Sequence, residues 1–188
     1  MNDDTQLMLR VKEGDQKAFR EIVEKHQTSI LNLCARFIGN QEDAEEIAQD
    51  VFIRLLRYAD SYQPRAKLST YLYRIAVNLS LNRVRDNKWK RYVTLDSTKA
   101  RGRLIDKAVS HSPDQLLEQK EKSEAIRAIV NSLPANQRTA VILKRFEGLS
   151  YAEIAEVMKV SVSAVESLLF RAKQTLKKKL QGYASVPE

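Results

Sequence analysis

The sequence predicts an all-α chain: two small helical domains joined by a flexible linker, the second containing a helix-turn-helix. Three observations carry that prediction. Helix breakers are scarce, with 5 Gly and 4 Pro in 188 residues, below average usage, which disfavours a turn-rich all-β architecture. Apolar residues recur at helical spacing over long stretches. Nearly every Gly and Pro falls where that period independently ends a segment, and such agreement between levels marks a consistent helical design.

The elements follow in order. Gly14 closes a short first helix. Phe19, Ile22, Val23, Ile30, Leu33, Cys34 and Phe37 keep the helical period up to Gly39-Asn40, which predicts one amphipathic helix over 16–38. Asn40 is the expected N-cap of the next helix. There Ala44, Ile47, Ala48, Val51, Phe52, Leu55 and Leu56 form the apolar stripe, while Glu42, Glu45, Glu46 and Asp50 take other faces. A loop around Pro64, residues 60–67, leads into a helix from about Leu68 to Trp89 with Leu68, Leu72, Ile75, Ala76 and Leu79 inward.

Residues 94–113 hold no sustained period and contain Gly102 and a Ser-His-Ser-Pro end, so they read as a linker between domains 1–93 and 114–188. Pro113 opens a helix over about 114–132, and another runs over 135–147 between Pro134 and Gly148. Ser150-Tyr151-Ala152-Glu153 has the capping-box pattern, followed by the apolar face Ile154, Ala155 and Met158. Lys159-Val160-Ser161 then turns into a helix carrying Val165, Leu169, Ala172, Leu176 and Leu180. A short helix, a tight turn and a longer basic helix make a helix-turn-helix.

At 188 residues the chain fits one ordinary domain or two small ones. Hydrophobic residues are 43% and charged residues 30% of it, a balance that builds folded cores. The longest uninterrupted apolar run, Ala140–Leu143, is four residues, far short of the roughly 20 that span a bilayer, so no membrane insertion is expected. Met-Asn-Asp-Asp at the start resembles no signal peptide, which points to the cytoplasm. The lone Cys34 lies near Leu33 and Phe37 and reads as a buried small hydrophobe.

The formal net charge of +8 is unevenly placed. Residues 1–60 carry 8 Lys/Arg against 12 Asp/Glu, whereas residues 61–93 carry 8 against 1 and residues 116–188 carry 12 against 8. An acidic segment therefore precedes two basic ones, and an anionic partner such as nucleic acid fits the latter.

Two polar faces stand out. On the helix from 68 to 89, Tyr71, Arg74, Asn78, Asn82 and Arg85 share one side. Rings stack on unpaired bases, amides bond base edges and guanidiniums hold the backbone, so this side suits unstacked nucleic acid; a solvated flank is the plainer reading. Arg83 and Lys88 extend the positive field. On the last helix Ser163, Ser167 and Phe170 lie opposite the apolar stripe, with Arg171 and Lys173 beside them. Phe170 fits a thymine methyl or another protein.

Catalytic constellations are missing by comparison. With two histidines, no Gly-rich phosphate loop and no Cys/His metal spacing, the chain does not read as an enzyme, and neither cofactor nor metal is expected. Glu42, Asp43, Glu45, Glu46 and Asp50 read as a solvated or protein-binding face.

These residues together resemble a bacterial ECF (extracytoplasmic function) sigma factor of the sigma-70 family, over roughly residues 7–181. The resemblance rests on Asp43-Ala44-Glu45-Glu46-Ile47-Ala48-Gln49-Asp50-Val51-Phe52 and Ser69-Thr70-Tyr71-Leu72-Tyr73-Arg74-Ile75-Ala76-Val77-Asn78 in the first half. In the second half it rests on Leu133-Pro134, on Leu149-Ser150-Tyr151-Ala152-Glu153-Ile154-Ala155 and on Phe170-Arg171-Ala172, in the family's order and spacing.

The resemblance implies a factor that directs core RNA polymerase to promoters, with core polymerase, promoter DNA and an anti-sigma factor as partners. It implies docking of core polymerase through Glu45, Glu46, Gln49, Asp50 and Phe52. It implies recognition and melting of −10 DNA through the loop at 60–70 and through Tyr71, Arg74, Asn78, Asn82, Arg83, Arg85 and Lys88. It implies reading of −35 DNA through Ser163, Glu166, Ser167, Phe170, Arg171 and Lys173. Glu166 and Leu168 depart from the family pattern, which usually has basic residues there. An autonomous helix-turn-helix regulator is the competing reading; it requires tight duplex binding without polymerase and leaves the Tyr71/Asn78/Asn82 face without a purpose.

Overall fold

The computed structural model describes residues 3–63, 67–94 and 126–184, and every regular element among them is helical. The chain divides into two compact units, one built mainly from residues up to Leu104 and the other mainly from those after it. The linker expected at 94–113 lies, apart from Thr94, outside the described residues.

The first unit comprises α1 (Asp3–Lys12), α2 (Gln16–Ile38), α3 (Gln41–Arg57), a 3-10 turn (Ala59–Ser61) and α4 (Leu68–Thr94). Local chemistry sets the boundaries. Asp15 caps α2: its Oδ1 accepts from the Lys17 and Ala18 N–H groups at 2.8 and 3.1 Å, and its Oδ2 from Arg10 Nε and Nη2 at 3.0 and 2.7 Å. The Ala18 N–H bond, then the Arg10 bond, holds this carboxyl below its usual range. Gly39 ends α2 at φ +76, where its N–H donates to the Ala35 carbonyl, a left-handed cap that a side chain would strain. Asn40 then caps α3, accepting from the Glu42 N–H at 3.0 Å.

Helix α2 is the hub, packing against α1, α3 and α4, while α3 also packs against α4. Met8, Ile22, Ile30, Leu33, Val51, Leu55, Leu68 and Leu72 are fully buried, and each such side chain stabilises the unit by about 1.5–3 kcal/mol. Cys34 is buried among them, as its apolar surroundings predict. Asp4 is buried too and ties α1 to α2 through Lys25 at 2.6 Å and His26 Nε2 at 3.2 Å.

Three expectations for this unit are corrected. Leu56, expected on the apolar stripe of α3, keeps the period but is 50% exposed, because α2 and α4, which pack on α3, cover only part of that stripe. On α4 the inward arc is shifted and wider: Val77 and Ser80 are buried with Leu72, Ala76 and Leu79, while Ile75 is half-buried. The same helix continues to Thr94, beyond the expected Trp89, since nothing from 89 to 94 breaks it.

The second unit comprises the helical residues 126–131 (α5), α6 (Ala135–Arg145), α7 (Tyr151–Met158) and α8 (Val162–Ala184). The rest of the helix expected over 114–132 lies outside the described residues. Pro134 separates α5 from α6, and Gly148 at φ +68 turns the chain after α6 so that the Leu149 N–H reaches the Leu143 carbonyl at 3.2 Å. Ser150 and Glu153 form the capping box: Glu153 N–H donates to Ser150 Oγ at 3.2 Å and Ser150 N–H to Glu153 Oε2 at 2.9 Å. Lys159 ends α7 in the left-handed region at φ 55, and Ser161 caps α8 by accepting from the Ala164 N–H at 3.2 Å. The turn expected at Lys159–Ser161 is thus present. Helix α6 packs on α8, with Ala140, Ile142, Leu143, Ile154, Val165 and Ala172 buried. Leu180, expected on the α8 stripe, is 46% exposed.

Candidate nucleic-acid interface

Burial of Leu72, Ala76 and Leu79 fixes which way α4 faces. With that side inward, Asn78, Asn82 and Arg85 are exposed, and Tyr71 and Arg74 are half-exposed along the same flank. The Arg74 guanidinium carbon lies 5.1 Å from the centroid of the Tyr71 ring, a cation–π pair that makes a positively charged aromatic platform. A base set on that platform would have the Asn78 amide one to two turns along the same side to bond its edge. Arg85 makes an ion pair with Asp86 at 3.6 Å between two exposed side chains, which leaves its charge weakly committed. Lys88 belongs to the same helix, but its side chain lies outside the described residues.

Arg83 differs from its neighbours. Expected as another cation facing DNA, it turns instead toward α3, where Asp43 and Glu46 hold its guanidinium. Its pKa is raised by the Glu46 bond first.

On α3, Glu45, Glu46 and Gln49 are exposed and Asp50 is half-buried, so the acidic flank is open to a partner. Glu45 accepts from Gln41 Nε2 at 2.8 Å within the helix. Phe52 corrects the expectation made for it: at 7% exposure it packs in the core, and it cannot offer its ring to a docking partner. The apolar part of this flank is instead Ile53 and Leu56, 45% and 50% exposed, which continue the side of Gln49 at helical spacing. The signal for Ile53 was its phase, out of step with Val51, Phe52 and Leu55.

The helix-turn-helix presents a comparable open surface. Ser163, Glu166, Ser167, Phe170, Arg171 and Lys173 are all exposed along α8, opposite buried Val165 and Ala172. Phe170 is 64% exposed, a large ring facing water on an otherwise polar surface. Ser161 and Ser163 hydroxyls lie 3.0 Å apart at the start of the helix. Val160 in the turn and Val162 at the start of α8, at 38% and 43% exposure, add apolar surface there; helical periodicity did not signal Val160, because a turn has no period. Among the described residues no group of three or more His, Cys, Asp or Glu is placed to hold a metal ion, and no helix is long and apolar enough to cross a membrane.

A helix-turn-helix with an exposed polar face, together with a second helical unit carrying an aromatic, amide and guanidinium flank, has the features of a nucleic-acid-binding protein. Comparison with known proteins agrees. A sigma-70 region 2 family model matches residues 22–90, and a sigma-70, region 4 family model matches residues 123–176. The ECF RNA polymerase sigma factor SigW of Bacillus subtilis (strain 168) is 35% identical over 175 residues, covering 92% of this chain and 94% of that protein. The RNA polymerase sigma-H factor of Pseudomonas aeruginosa is 35% identical over 182 residues, covering 95% and 94%. The chain belongs to the ECF group of the sigma-70 family, the factors that direct core RNA polymerase to promoters.

Solved structures share the fold. CnrH in complex with the cytosolic domain of CnrY is similar with a TM-score of 0.70 at 22% identity, over 96% of this chain and 99% of that one. The sigma factor RpoE in complex with the anti-sigma factor NepR from Bartonella quintana is similar with a TM-score of 0.68 at 21% identity, over 88% and 98%.

Proposed function

We propose that this chain starts transcription by reading two promoter elements with two separate faces while α3 holds core polymerase. Residues 1–93 form the −10 domain, 94–113 the tether and 114–188 the −35 domain. Glu45, Glu46, Gln49 and Asp50, with Ile53 and Leu56 in the place of Phe52, make the docking flank, where carboxylates steer a basic partner and the apolar pair supplies contact area. Tyr71 and Arg74 stack on the extruded base of the −10 element, Asn78 and Asn82 bond its edge, and Arg85 and Lys88 hold the backbone. Ser163, Ser167, Phe170, Arg171 and Lys173 read −35 DNA, and Glu166 narrows the choice by repelling phosphate unless a cytosine amino group donates to it.

The observation that carries this reading is the open Tyr71/Arg74/Asn78/Asn82 flank on a helix separate from the helix-turn-helix, since a duplex-only regulator has no use for a base-stacking platform. The protein does no covalent chemistry and works in the cytoplasm, where its DNA lies. An anti-sigma factor holds it when idle; both solved relatives in the same fold are bound to a second protein, named as an anti-sigma factor for RpoE. Run-off transcription on a random promoter library tests the function: no specific transcript is expected from the chain alone, and robust initiation once core polymerase is added. Tight operator binding by the isolated chain, with no affinity for core, would transfer the reading to an autonomous regulator.

A further inference from the structure

Arg83 stands next to Asn82 on α4, yet its side chain reaches back across to α3. Nη1 donates to Asp43 Oδ1 at 2.5 Å and to Glu46 Oε2 at 3.0 Å, and Nη2 lies 2.9 Å from Glu46 Oε1. Asp43 and Glu46 are three residues apart, hence one above the other on a single face of α3, where they receive the guanidinium fork together. The side chains of Arg83 and Asp43 are each 26% exposed, whereas that of Glu46 is 61% exposed. Asp43 is therefore the sheltered anchor of the pair.

Helices α3 and α4 also pack on each other, and burial of Leu72, Ala76 and Leu79 sets the inward side of α4, but only to within the width of that arc, because apolar contact is non-directional. A guanidinium shared by two carboxylates has a fixed fork geometry and so narrows the rotation of α4 within that arc. Rotation matters here because Asn82 immediately precedes Arg83 and Asn78 lies one turn earlier on the flank, so a turn of α4 swings both amides.

We propose that Arg83 is a positioning residue: its clasp on Asp43 and Glu46 fixes the rotation of α4 on α3 within the arc that apolar burial allows, and so aims Asn78 and Asn82 at the extruded base while α3 is docked on core polymerase. The inference rests on the reading of α4 as the −10 surface. It assigns Arg83 no contact with DNA.

The test uses holoenzyme assembled from core polymerase and wild-type chain, Arg83→Gln, Asp43→Asn, the double variant, or the charge-swapped pair Asp43→Arg with Arg83→Glu, on a promoter selected from a random library. Strand opening is read by permanganate reactivity and promoter affinity by its salt dependence. Arg83→Gln, which loses both carboxylates, should lower opening about three- to tenfold, Asp43→Asn, which leaves the Glu46 bonds, by less, and the double variant no further than Arg83→Gln, because the Asp43 contribution runs through Arg83. The salt slope should stay unchanged, and the swapped pair should recover opening to within about twofold of wild type. A salt slope shallower by about 0.9 in Arg83→Gln, with Asp43→Asn silent, would make Arg83 a phosphate contact and overturn the proposal. Additive losses, a swapped pair that fails to recover, or unchanged opening in both single variants would overturn it too. Wild-type holoenzyme that opens no promoter would instead remove the −10 reading itself, and the inference with it.

Discussion

Replacing Asn78 and Asn82 together by alanine should make the first unit more stable and the initiation factor worse. Both amides are exposed on the middle of α4, no described hydrogen bond engages either side chain, and their neighbours Leu72, Ala76 and Leu79 supply the packing. Nothing in the fold depends on them. Asparagine is a poor helix former and alanine the best, by about 0.6 kcal/mol in a helix interior, so the pair should stabilise α4 by about 1 kcal/mol. For a unit of this size that corresponds to a rise in melting temperature of about 4–8 °C. Loss of a base-edge contact costs about 1–3 kcal/mol, so strand opening should fall about 5- to 150-fold. Thermal unfolding followed by circular dichroism gives the first quantity, permanganate footprinting of the −10 region by holoenzyme the second, and titration of core polymerase checks that docking is intact. A double variant that melts higher and still opens promoters at the wild-type rate would refute the reasoning, since these amides would then be a solvated flank.

The other predictions address the second unit and the junction of α1 with α2. Lys159 at φ 55 carries the strain of a left-handed residue with a side chain, so Lys159→Gly should stabilise the helix-turn-helix by about 1 kcal/mol, read as a higher urea midpoint for its unfolding; a lower midpoint would show that the lysine side chain outweighs its backbone. Glu166→Lys should strengthen general DNA affinity and steepen its salt slope by about 0.9, while Phe170→Ala should lose discrimination at one thymine in a −35 library selection; identical preferences and slopes in both variants and wild type would show that this face does not touch DNA. The Asp15 carboxyl is held below its usual range by the Ala18 N–H and Arg10, so its charge stabilises the folded chain fully above pH about 4 and ceases to do so as pH falls through the lower folded value. Asp15→Asn keeps the cap without the charge, and its stability deficit against wild type should therefore shrink below that pH in acid titrations followed by circular dichroism; a constant deficit would mean that the cap geometry alone matters.

The elements were legible in the sequence because their causes are local. A helix start or stop depends on residues within a turn of it, so Asn40, Gly39, Pro134, Gly148 and the Ser150/Glu153 box mark their boundaries wherever the helices later pack. The exposed flank Tyr71/Arg74/Asn78/Asn82/Arg85 was legible for the same reason: it follows from the phase of Leu68, Leu72, Ala76 and Leu79 along one helix. Asp15 shows the limit of composition alone, because its role as cap shows only once the Lys17 and Ala18 N–H groups are seen to point at it.

What the tertiary structure decided is which members of an apolar stripe are covered, and by what. Phe52 and Leu56 are four apart and satisfy the same period, yet one is 7% and the other 50% exposed, since the width of the covered arc is set by how α2 and α4 lie against α3. Arg83 is the sharper case. In the sequence it is one cation in a basic segment, and its partners stand 40 and 37 residues earlier. Whether a long flexible guanidinium meets a phosphate or a carboxylate depends on distances of a few ångströms between two helices, and those distances are a product of core packing that no one-dimensional pattern contains.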